Sequence, residues 1–597
     1  MTNLSELSRQ RMINFLETIK DNTDDDGLKA INEVESFINA QRYGLVWEEH
    51  EEFVDVQMAQ NVPVFTEDEN KKIVNDPKKP MNFLLEGDNL HSLYLLEKTH
   101  KGKVDLIVID PPYNRGKDDF RYDDAIVDAE DGFKHSKWLS FMSKRLAQAK
   151  KLLSETGIIA INIDEHEVAP LIMLMEDIFG AQNNLGTIIW NKQNPKGDAH
   201  KVSTMHEYII VFAKNYEKIK ELDGFASRKK PNAKAILAKA KQLYSQIGKK
   251  ILPADVKSLV KVYDYPSEIV DRMKVEYDLE MVNKEFANWL KTQDFSSGEK
   301  AYKYIDENGR VYRGVSMAWP NKKKAPDDYF IPLIHPVTGK ECPVPARGWR
   351  NPPRTMEKLM SEGRIIFGPD ETKQPERKYF LDENMTENTP SIYNNADSAD
   401  SYMSKIGISF EYPKPVSEVK YLIQNLHPNP KIVLDFFAGS ATTGHAVMEI
   451  NDEEGKQIEY ILCTNNQDGI AENTAYKRLK IESENYGTNL KYFKTDYIPR
   501  QPEESELSEE LLEHSAEMVA LDLGLDIESS TDTRLVFDEE ELDDLFTDDA
   551  MSNVIIFVPN FVLLRGEHEH YAKQRNIKIM RIPDYYFSKE LKEAGEL

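Results

Sequence analysis

The hydrophobic positions in the first half of the chain follow two alternating patterns. Continuous apolar runs at 104–110 (VDLIVID) and 157–164 (GIIAINID) are typical of strands buried on both faces of a parallel sheet. Between them, 138–153 (WLSFMSKRLAQAKKLL) has its apolar residues at helical spacing. This alternation predicts a doubly wound α/β sheet beginning within residues 61–214.

The alternation stops and returns much later in the chain. Residues 215–395 are first basic and then rich in Pro, Gly and aromatic residues. At 432–450 (IVLDFFAGSATTGHAVMEI) a strand, a glycine-containing turn and a helix follow one another again, and 458–465 (IEYILCTN) adds a strand. We therefore expect one Rossmann-like domain, completed by residues 396–500, with a long insertion inside it.

The two ends of the chain have patterns of their own. Residues 1–60 predict two helices whose apolar stripe packs on this chain's own body or on a second copy of it. Residues 501–597 read as an acidic stretch followed by a small α/β unit containing the apolar runs VIIFV and IKIMRIP. The length of 597 residues agrees with more than one domain.

The charge is unevenly distributed. The net charge is −27, yet residues 501–550 hold 19 Asp and Glu against one Arg, a local charge of 1 − 19 = −18. Residues 191–262 hold 16 Lys and Arg against 6 Asp and Glu, a local charge of 16 − 6 = +10. A basic middle and an acidic tail agree with DNA on one face and a protein partner elsewhere, and equally with solvated helix faces. The tail could be a docking surface for such a protein partner, a DNA mimic or a solubilising linker, and composition does not choose among these.

Cysteine content and hydropathy exclude several protein classes. The two cysteines, Cys342 and Cys463, are too far apart in the sequence to suggest a disulfide framework or a zinc site, so we expect no catalytic metal. No apolar run approaches the roughly 20 residues of a membrane helix, and the first residues lack the apolar core of a secretion signal. We expect a soluble cytoplasmic protein.

The first chemical motif is Asp110-Pro111-Pro112-Tyr113, directly after a buried strand. Ligands of open α/β sheets bind beyond the carboxyl ends of the strands. A carboxylate and a backbone carbonyl can accept the two N–H groups of a base amine and free its delocalised lone pair. The prolines fix the backbone, and a tyrosine ring can stack on a base flipped out of the duplex. A polar loop without chemistry is the less favoured interpretation.

The second motif is the turn 435–440 (DFFAGS), with Gly444 in the helix that follows. Small residues let backbone amides approach a ligand closely at a helix N-terminus. The sequence contains neither a P-loop nor a G-x-G-x-x-G dinucleotide turn, which disfavours an ATPase or a dehydrogenase. Taken alone the turn could serve packing only.

Together these residues resemble the amino-methyltransferases of DNA. The catalytic tetrapeptide precedes the cofactor turn with a long insertion between them, which is the β-group arrangement, and in that group the insertion recognises the target. The segments YGLVWEEHEE, LLEGDN, HSKWLSFM, HEYIIVFAKN and FEYPKPV resemble more narrowly the modification subunit of type III restriction–modification systems. The resemblance covers roughly residues 42–486.

The resemblance implies an enzyme that transfers a methyl group from S-adenosylmethionine to adenine N6 by base flipping. An Asp at the first position favours adenine over cytosine N4. Asp88 would lie near the cofactor, or merely cap the helix that follows it. The implied catalytic residues are Asp110, Pro111, Pro112 and Tyr113, and the implied cofactor-binding residues are Asp88, Phe410, Lys414, Pro415, Asp435, Phe436, Ala438, Gly439 and Gln467.

Two positions depart from the family pattern. Arg115 stands where relatives often have Thr, and it adds a phosphate contact or nothing. Gln467 stands where relatives often have the Glu that holds the ribose hydroxyls, so its hydrogen bond lacks charge assistance.

The resemblance also implies binding partners. Double-stranded DNA would be read by residues 215–395, with Arg115, Arg228, Lys229 and Lys230 as candidate phosphate contacts. A homodimer and a separate helicase–nuclease subunit would complete a type III system. The alternatives are a stand-alone methyltransferase acting on adenine N6 or cytosine N4, and a DNA-binding specificity subunit that has lost catalysis.

Overall fold

The computed structural model describes most of the chain. The described residues are 4–20, 23–40, 47, 50–115, 134–193, 202–263, 265–410, 413–502, 505–527, 530–547 and 552–597. They form two compact units, one comprising Met1–Ala226 with Pro390–Leu597 and the other Ser227–Thr389. No helix among the described residues is long and apolar enough to cross a membrane.

The first part of the larger unit alternates strands with helices. Its elements are α1 (Leu4–Lys20), α2 (Asp25–Ala40), α3 (Phe53–Gln60), β1 (Asn61–Glu67), β2 (Met81–Glu86), α4 (Asn89–His100), β3 (Val104–Ile109), α5 (Lys134–Leu152), β4 (Leu153–Ile163), α6 (Val168–Phe179), β5 (Asn184–Asn191), β6 (His206–Ala213) and α7 (Tyr216–Ile219).

The smaller unit is built from short strands and helices. Its elements are β7 (Ser227–Lys229), α8 (Ala233–Tyr244), β8 (Lys250–Ile251), α9 (Ala254–Tyr263), α10 (Ser267–Arg272), β9 (Val275–Glu276), α11 (Leu279–Thr292), α12 (Ser297–Lys300), β10 (Tyr304–Ile305), β11 (Val311–Ser316), α13 (Pro353–Ser361), β12 (Ile365–Ile366), β13 (Glu376–Phe380) and β14 (Thr386–Asn388). It has a core of its own, in which α8 and α11 contribute Ile236, Leu243 and Phe286.

The chain then returns to the larger unit. The remaining elements are β15 (Ile392–Asn394), α14 (Asp400–Lys405), α15 (Val416–Leu426), β16 (Ile432–Asp435), α16 (Thr442–Glu454), β17 (Glu459–Thr464), α17 (Lys477–Tyr486), β18 (Asn489–Pro499), α18 (Leu507–Leu512), α19 (Ser515–Leu523), β19 (Thr533–Leu535), α20 (Glu539–Thr547), β20 (Ile555–Pro559), α21 (Gly566–Gln574), β21 (Lys578–Ile582) and α22 (Asp584–Ala594).

A ten-stranded sheet organises the larger unit, in the order β1-β18-β2-β17-β16-β3-β4-β6-β5-β15. The six strands from β18 to β4 are parallel, whereas β1 and β6 pair antiparallel with β18 and β4. Helices cover both faces of the sheet, and the buried apolar side chains of the inner strands from β18 to β6 are divided between two separate core clusters. The predicted doubly wound α/β sheet is confirmed.

The pairing of β16 with β3 joins the two halves of the sheet. Val433 lies opposite Leu106 and Leu434 opposite Ile107, in parallel register. All four side chains are fully buried. Continuous apolar runs such as these are suited to strands covered on both faces, which is why the sequence pattern identified them.

Part of the acidic stretch forms helices that pack into the core of the larger unit. Leu507, Leu511, Met518 and Val519 of α18 and α19 are buried in the core of the larger unit. Residues 507–523 are therefore part of that core and do not form a free linker. Beyond them, β19, β20 and β21 form a small parallel sheet with a core cluster of its own.

Gly444 lies where α16 packs on the sheet, and a methyl group there has no room. A Cβ at this position would lie 2.7 Å from Leu479 Cδ2 and 3.1 Å from Leu462 Cδ1. We predict that Gly444→Ala lowers the free energy of unfolding by about 1–3 kcal/mol, because overpacking forces neighbouring groups to move. The measurement is urea unfolding, with Gly566→Ala as the control, since a Cβ at Gly566 meets nothing within 4 Å. Equal stability changes in the two variants would contradict this account.

Candidate active site

The loops after five parallel strands meet at one edge of the large sheet. Because β2, β17, β16, β3 and β4 run in the same direction, their carboxyl ends lie side by side. This edge is where open α/β sheets bind ligands. The loops that meet there contain Gly87 and Asp88 after β2, Gln467 after β17, residues 436–439 after β16, Asp110 to Tyr113 after β3, and Asp164 after β4.

Residues 110–113 are held rigidly against α5. Trp138 of that helix is wholly buried, and its indole Nε1 donates a hydrogen bond of 2.7 Å to the carbonyl oxygen of Pro112. Asn114 has a positive φ of 60° and donates to Glu167 Oε1 at 2.6 Å. These contacts fix the backbone that begins at Asp110.

A lysine from a distant segment completes the charge pattern around Asp110. Lys414 Nζ lies 2.9 Å from Asp110 Oδ1 and 3.2 Å from Glu207 Oε2. It also donates to the hydroxyl oxygen of Tyr113 at 2.7 Å, and that hydroxyl donates to Asp110 Oδ1 at 2.7 Å. The structure thus brings the predicted residues Asp110, Tyr113 and Lys414 into one cluster.

Glu207 and Lys192 belong to this cluster, and the sequence analysis did not select them. Burial alone would raise the pKa of Glu207, but Lys414 and Lys192 outweigh it and lower the pKa to about 2. Burial alone would lower the pKa of Lys414, but Asp110 and Glu207 raise it above its usual value. Both groups are therefore charged at neutral pH. Glu207 lies within the segment HEYIIVFAKN, which carried part of the resemblance.

The sequence analysis also did not select Glu418, which differs from the neighbouring charged residues in its protonation. Its side chain is fully buried in the first turn of α15, and neither carboxyl oxygen has a hydrogen-bond partner among the described residues. Burial raises the pKa of Glu418 to about 8, with Lys414 acting against the rise and Asp110 adding to it. Glu418 is therefore mostly neutral at pH 7.

The side chain of Asp435 forms hydrogen bonds within the loop that follows β16. Its carboxylate accepts hydrogen bonds from Phe437 N at 3.0 Å and from Thr443 Oγ1 at 2.6 Å. Burial raises the pKa of Asp435 to about 7, although both hydrogen bonds act to lower it. The side chain is thus engaged by its own loop and by the first turn of α16, and its predicted contact with the cofactor stays a prediction.

The loop after β16 contains the small residues Ala438 and Gly439 and has one aromatic ring beside it. Gly439 has a positive φ of 49°, and a Cβ there would lie 3.3 Å from Phe410 Cζ. Ala438 is bound to β17 through a backbone hydrogen bond of 3.1 Å to Cys463 O. The side chain of Phe436, by contrast, is wholly buried in the core, so the predicted contact with the cofactor would have to come from its backbone.

Asp88 caps α4. Its carboxylate accepts from Leu90 N at 2.7 Å and lies 3.1 Å from a guanidinium nitrogen of Arg145. Arg145 is wholly buried and also binds Glu52 at 2.8 Å. Asp88 therefore caps α4, and its predicted position near the cofactor stays a prediction. Pro415, another predicted cofactor residue, is buried at the N-cap of α15.

Arg115 lies beside the candidate active site and is already engaged. Its Nε donates to Asp164 Oδ2 at 2.6 Å, and its guanidinium lies 4.7 Å from the centre of the Tyr113 ring. Gln467 is exposed, at the start of a short 3-10 segment after β17.

The three predicted DNA contacts of the smaller unit differ in their surroundings. Arg228 forms an ion pair with Glu387 at 2.7 Å, and Lys230 donates to the carbonyl oxygen of Asn384 at 2.5 Å. Lys229 is exposed on the same strand, β7. Lys229 is thus the most accessible of the three to a phosphate group.

A family model described as DNA methylase matches residues 104–476, which include both loops and the whole charged cluster. This chain belongs to the DNA methylase family. The match begins at β3 and runs past β17, so it includes the smaller unit.

Several curated relatives are similar over much of the chain. The Mod subunit of the type III restriction-modification enzyme EcoP15I from Escherichia coli is 30% identical over 67% of this chain and 60% of that protein. The StyLTI Mod subunit from Salmonella typhimurium is 28% identical over 70% of this chain and 57% of that protein. The type II methyltransferase M.KpnI from Klebsiella pneumoniae is 28% identical over 69% of this chain and 90% of that protein. The matched region thus spans about 60% of the length of the first two relatives.

The buried carboxyl of Glu418 makes the stability of the protein depend on pH. A pKa raised from 4.5 to about 8 means that the folded state binds a proton which the unfolded state has released between these values. The resulting stabilisation is complete below about pH 4.5 and is lost as the pH rises through 8. We predict that Glu418→Gln is more stable relative to wild type at pH 8 than at pH 5. The difference in free energy of unfolding between variant and wild type should be larger at pH 8 by on the order of 2 kcal/mol.

Urea unfolding at the two pH values measures this difference. The control is Glu155→Gln, because the side chain of Glu155 is 66% exposed. A Glu418→Gln effect of the same size at both pH values would contradict the prediction.

Proposed function

We propose that this protein transfers a methyl group from S-adenosylmethionine to N6 of adenine in double-stranded DNA, as the modification and specificity subunit of a type III restriction–modification system. The observation that carries the proposal is the parallel pairing of β3 with β16. It sets a carboxylate suited to binding an amine beside a loop of small residues suited to a cofactor. Family membership and the similarity to type III Mod subunits support the same function.

The carboxylate of Asp110 has one oxygen suited to the target base. Among the described residues, the hydrogen bonds to this carboxylate both go to Oδ1. We assign Oδ2 to one N–H of the flipped adenine amine and the carbonyl oxygen of Pro111 to the other. Accepting both N–H groups localises the nitrogen lone pair so that it can attack the methyl carbon. The proton that leaves N6 afterwards passes to Asp110 or to solvent.

We assign the cofactor to the loop after β16. Gly439 has a positive φ and no side chain, Ala438 has a small one, and the Phe410 ring lies beside Gly439, which suits the close approach of a partly apolar ligand to the backbone. S-adenosylmethionine supplies an electrophilic methyl group. We assign Gln467, after the neighbouring strand β17, to the ribose hydroxyls, with which it would donate or accept a hydrogen bond.

Three partners belong to the proposal. DNA would be read by the smaller unit, where Lys229 is available for a phosphate contact. A homodimer is supported by apolar side chains on α1 and α2, where Met12, Phe15 and Val34 are 53%, 65% and 45% exposed. A helicase–nuclease subunit would supply DNA cleavage, as the similarity to type III Mod subunits suggests.

A stand-alone methyltransferase is the second candidate function. The chain covers 90% of the type II methyltransferase M.KpnI, against 60% of the EcoP15I Mod subunit. Both candidates share the candidate active site and differ only in whether a nuclease subunit binds. Co-purification with a helicase–nuclease encoded beside it would favour the type III assignment.

The decisive variant for the proposed function is Asp110→Ala. We expect transfer of labelled methyl from S-adenosylmethionine to unmethylated genomic DNA to fall by roughly 100-fold or more, because the amine loses its acceptor. Asp110→Asn keeps the size of the side chain but places an amide where the carboxylate stood, and its rate of methyl transfer should fall by a similar factor. Thermal stabilisation by S-adenosylmethionine should persist in both variants and shows that they are folded. Wild-type rates in either variant would refute the role of Asp110.

The departure at position 467 gives an independent test of the cofactor site. We expect Gln467→Glu to tighten binding of S-adenosylmethionine by about 5- to 10-fold, because a carboxylate makes a charge-assisted hydrogen bond to a hydroxyl. Calorimetric titration measures the dissociation constant, and Gln467→Ala is the control that removes the hydrogen bond. Unchanged or weaker binding in Gln467→Glu would place the ribose elsewhere. A wild-type protein that binds DNA but no cofactor would favour a specificity subunit without catalysis.

A further inference from the structure

Lys414 contacts three polar groups in or beside the loop after β3, which contains residues 110–113. Its ammonium group lies 2.9 Å from Asp110 Oδ1, 3.2 Å from Glu207 Oε2 and 2.7 Å from the Tyr113 hydroxyl. Its side chain is only 13% exposed. The family resemblance implied that this lysine binds the cofactor, yet these contacts all lead to the loop after β3 and its neighbour Glu207 on β6.

The hydrogen bonds around Lys414 converge on one oxygen of Asp110. The ammonium donates to the Tyr113 hydroxyl, which has one proton to donate and lies 2.7 Å from Asp110 Oδ1 and 3.2 Å from Glu207 Oε2. The shorter contact is to Asp110 Oδ1, the same carboxylate oxygen that lies 2.9 Å from Lys414 Nζ. A carboxylate held by two donors on one oxygen cannot rotate freely about its χ angles. The second oxygen, Oδ2, is then fixed in direction as well.

We propose that Lys414 is a positioning residue for Asp110, which it orients so that Oδ2 faces the substrate amine, and that Glu207 holds Lys414 in place for this task. This inference rests on the proposed methyltransferase function. It changes the role of Lys414 from binding the cofactor to aligning the residue that binds the target base. It also gives Glu207 a role that no motif indicated.

The electrostatics of the cluster support this arrangement. A lone ammonium group in so buried a position would lose its proton, but the carboxylates of Asp110 and Glu207 raise the pKa of Lys414 and keep it charged. Glu207 is in turn kept ionised by Lys414 and by Lys192. The cluster therefore holds opposite charges in contact in a site of low dielectric constant, where such pairs are directional and strong.

The test separates turnover from cofactor affinity. Lys414→Met removes the charge while keeping the length of the side chain, and Lys414→Arg restores a charge with a different geometry. The matched control is Lys420→Met. Lys420 lies on α15, the helix that begins just after Lys414. It is similarly buried, at 16% exposure, and pairs with Glu449 and Glu453 away from Asp110. For each variant, kcat and KM for DNA are measured by labelled methyl transfer, and Kd for S-adenosylmethionine by calorimetric titration.

The expected result is a fall of roughly 10- to 100-fold in kcat for Lys414→Met, with Kd for S-adenosylmethionine within about twofold of wild type. Lys414→Arg should recover part of the loss, and Lys420→Met should behave as wild type. A normal kcat in Lys414→Met, or a weakened Kd with a normal kcat at saturating cofactor, overturns the positioning role. If wild type and Lys420→Met transfer no methyl to any DNA, the proposed function itself has failed.

Glu207→Gln provides a second variant if Lys414→Met does not fold. It keeps the lysine but removes the carboxylate that holds it. We expect a smaller fall in kcat, of about tenfold, again without loss of cofactor affinity. An unchanged kcat in Glu207→Gln would overturn the part of the inference that concerns Glu207.

Discussion

The parallel pairing of β16 with β3 is the contact on which the rest of the structure depends. These strands are separated in the sequence by the whole smaller unit, and they meet through buried apolar side chains in adjacent register. Since the loops after parallel strands emerge at the same edge, this single pairing sets the Asp110 loop beside the Gly439 loop. A methyl donor and a methyl acceptor need such proximity, because transfer requires the two reacting atoms to be almost in contact.

A compact group of charges lies at this edge. Lys414 and Lys192 face Asp110 and Glu207, and Glu418 lies beside them as a mostly neutral carboxyl. Burying charged groups is costly unless they are paired, so each of these residues constrains the position of the others. The constraint is consistent with the proposal that a lysine that follows the smaller unit in the sequence orients an aspartate that precedes it.

The sequence predicted the sheet and both loops well, for a physical reason. Strands such as β3 and β4 are buried on both faces, so their apolar runs are unmistakable, and Asp110 and Gly439 directly follow such runs. Glu207 could not be selected in this way, because its role arises only when folding brings it to Lys414. The helix containing Leu507 was hidden for another reason, since its acidic neighbours masked an apolar face that packs into the core.

The most direct test of the account is the identity of the base that receives the methyl group. DNA incubated with the wild-type protein and labelled S-adenosylmethionine would be digested to nucleosides, and the modified positions would be mapped by sequencing. The account predicts label in N6-methyladenine at one short, asymmetric sequence. Label in N4-methylcytosine, or no label from protein that binds both DNA and cofactor, would contradict it.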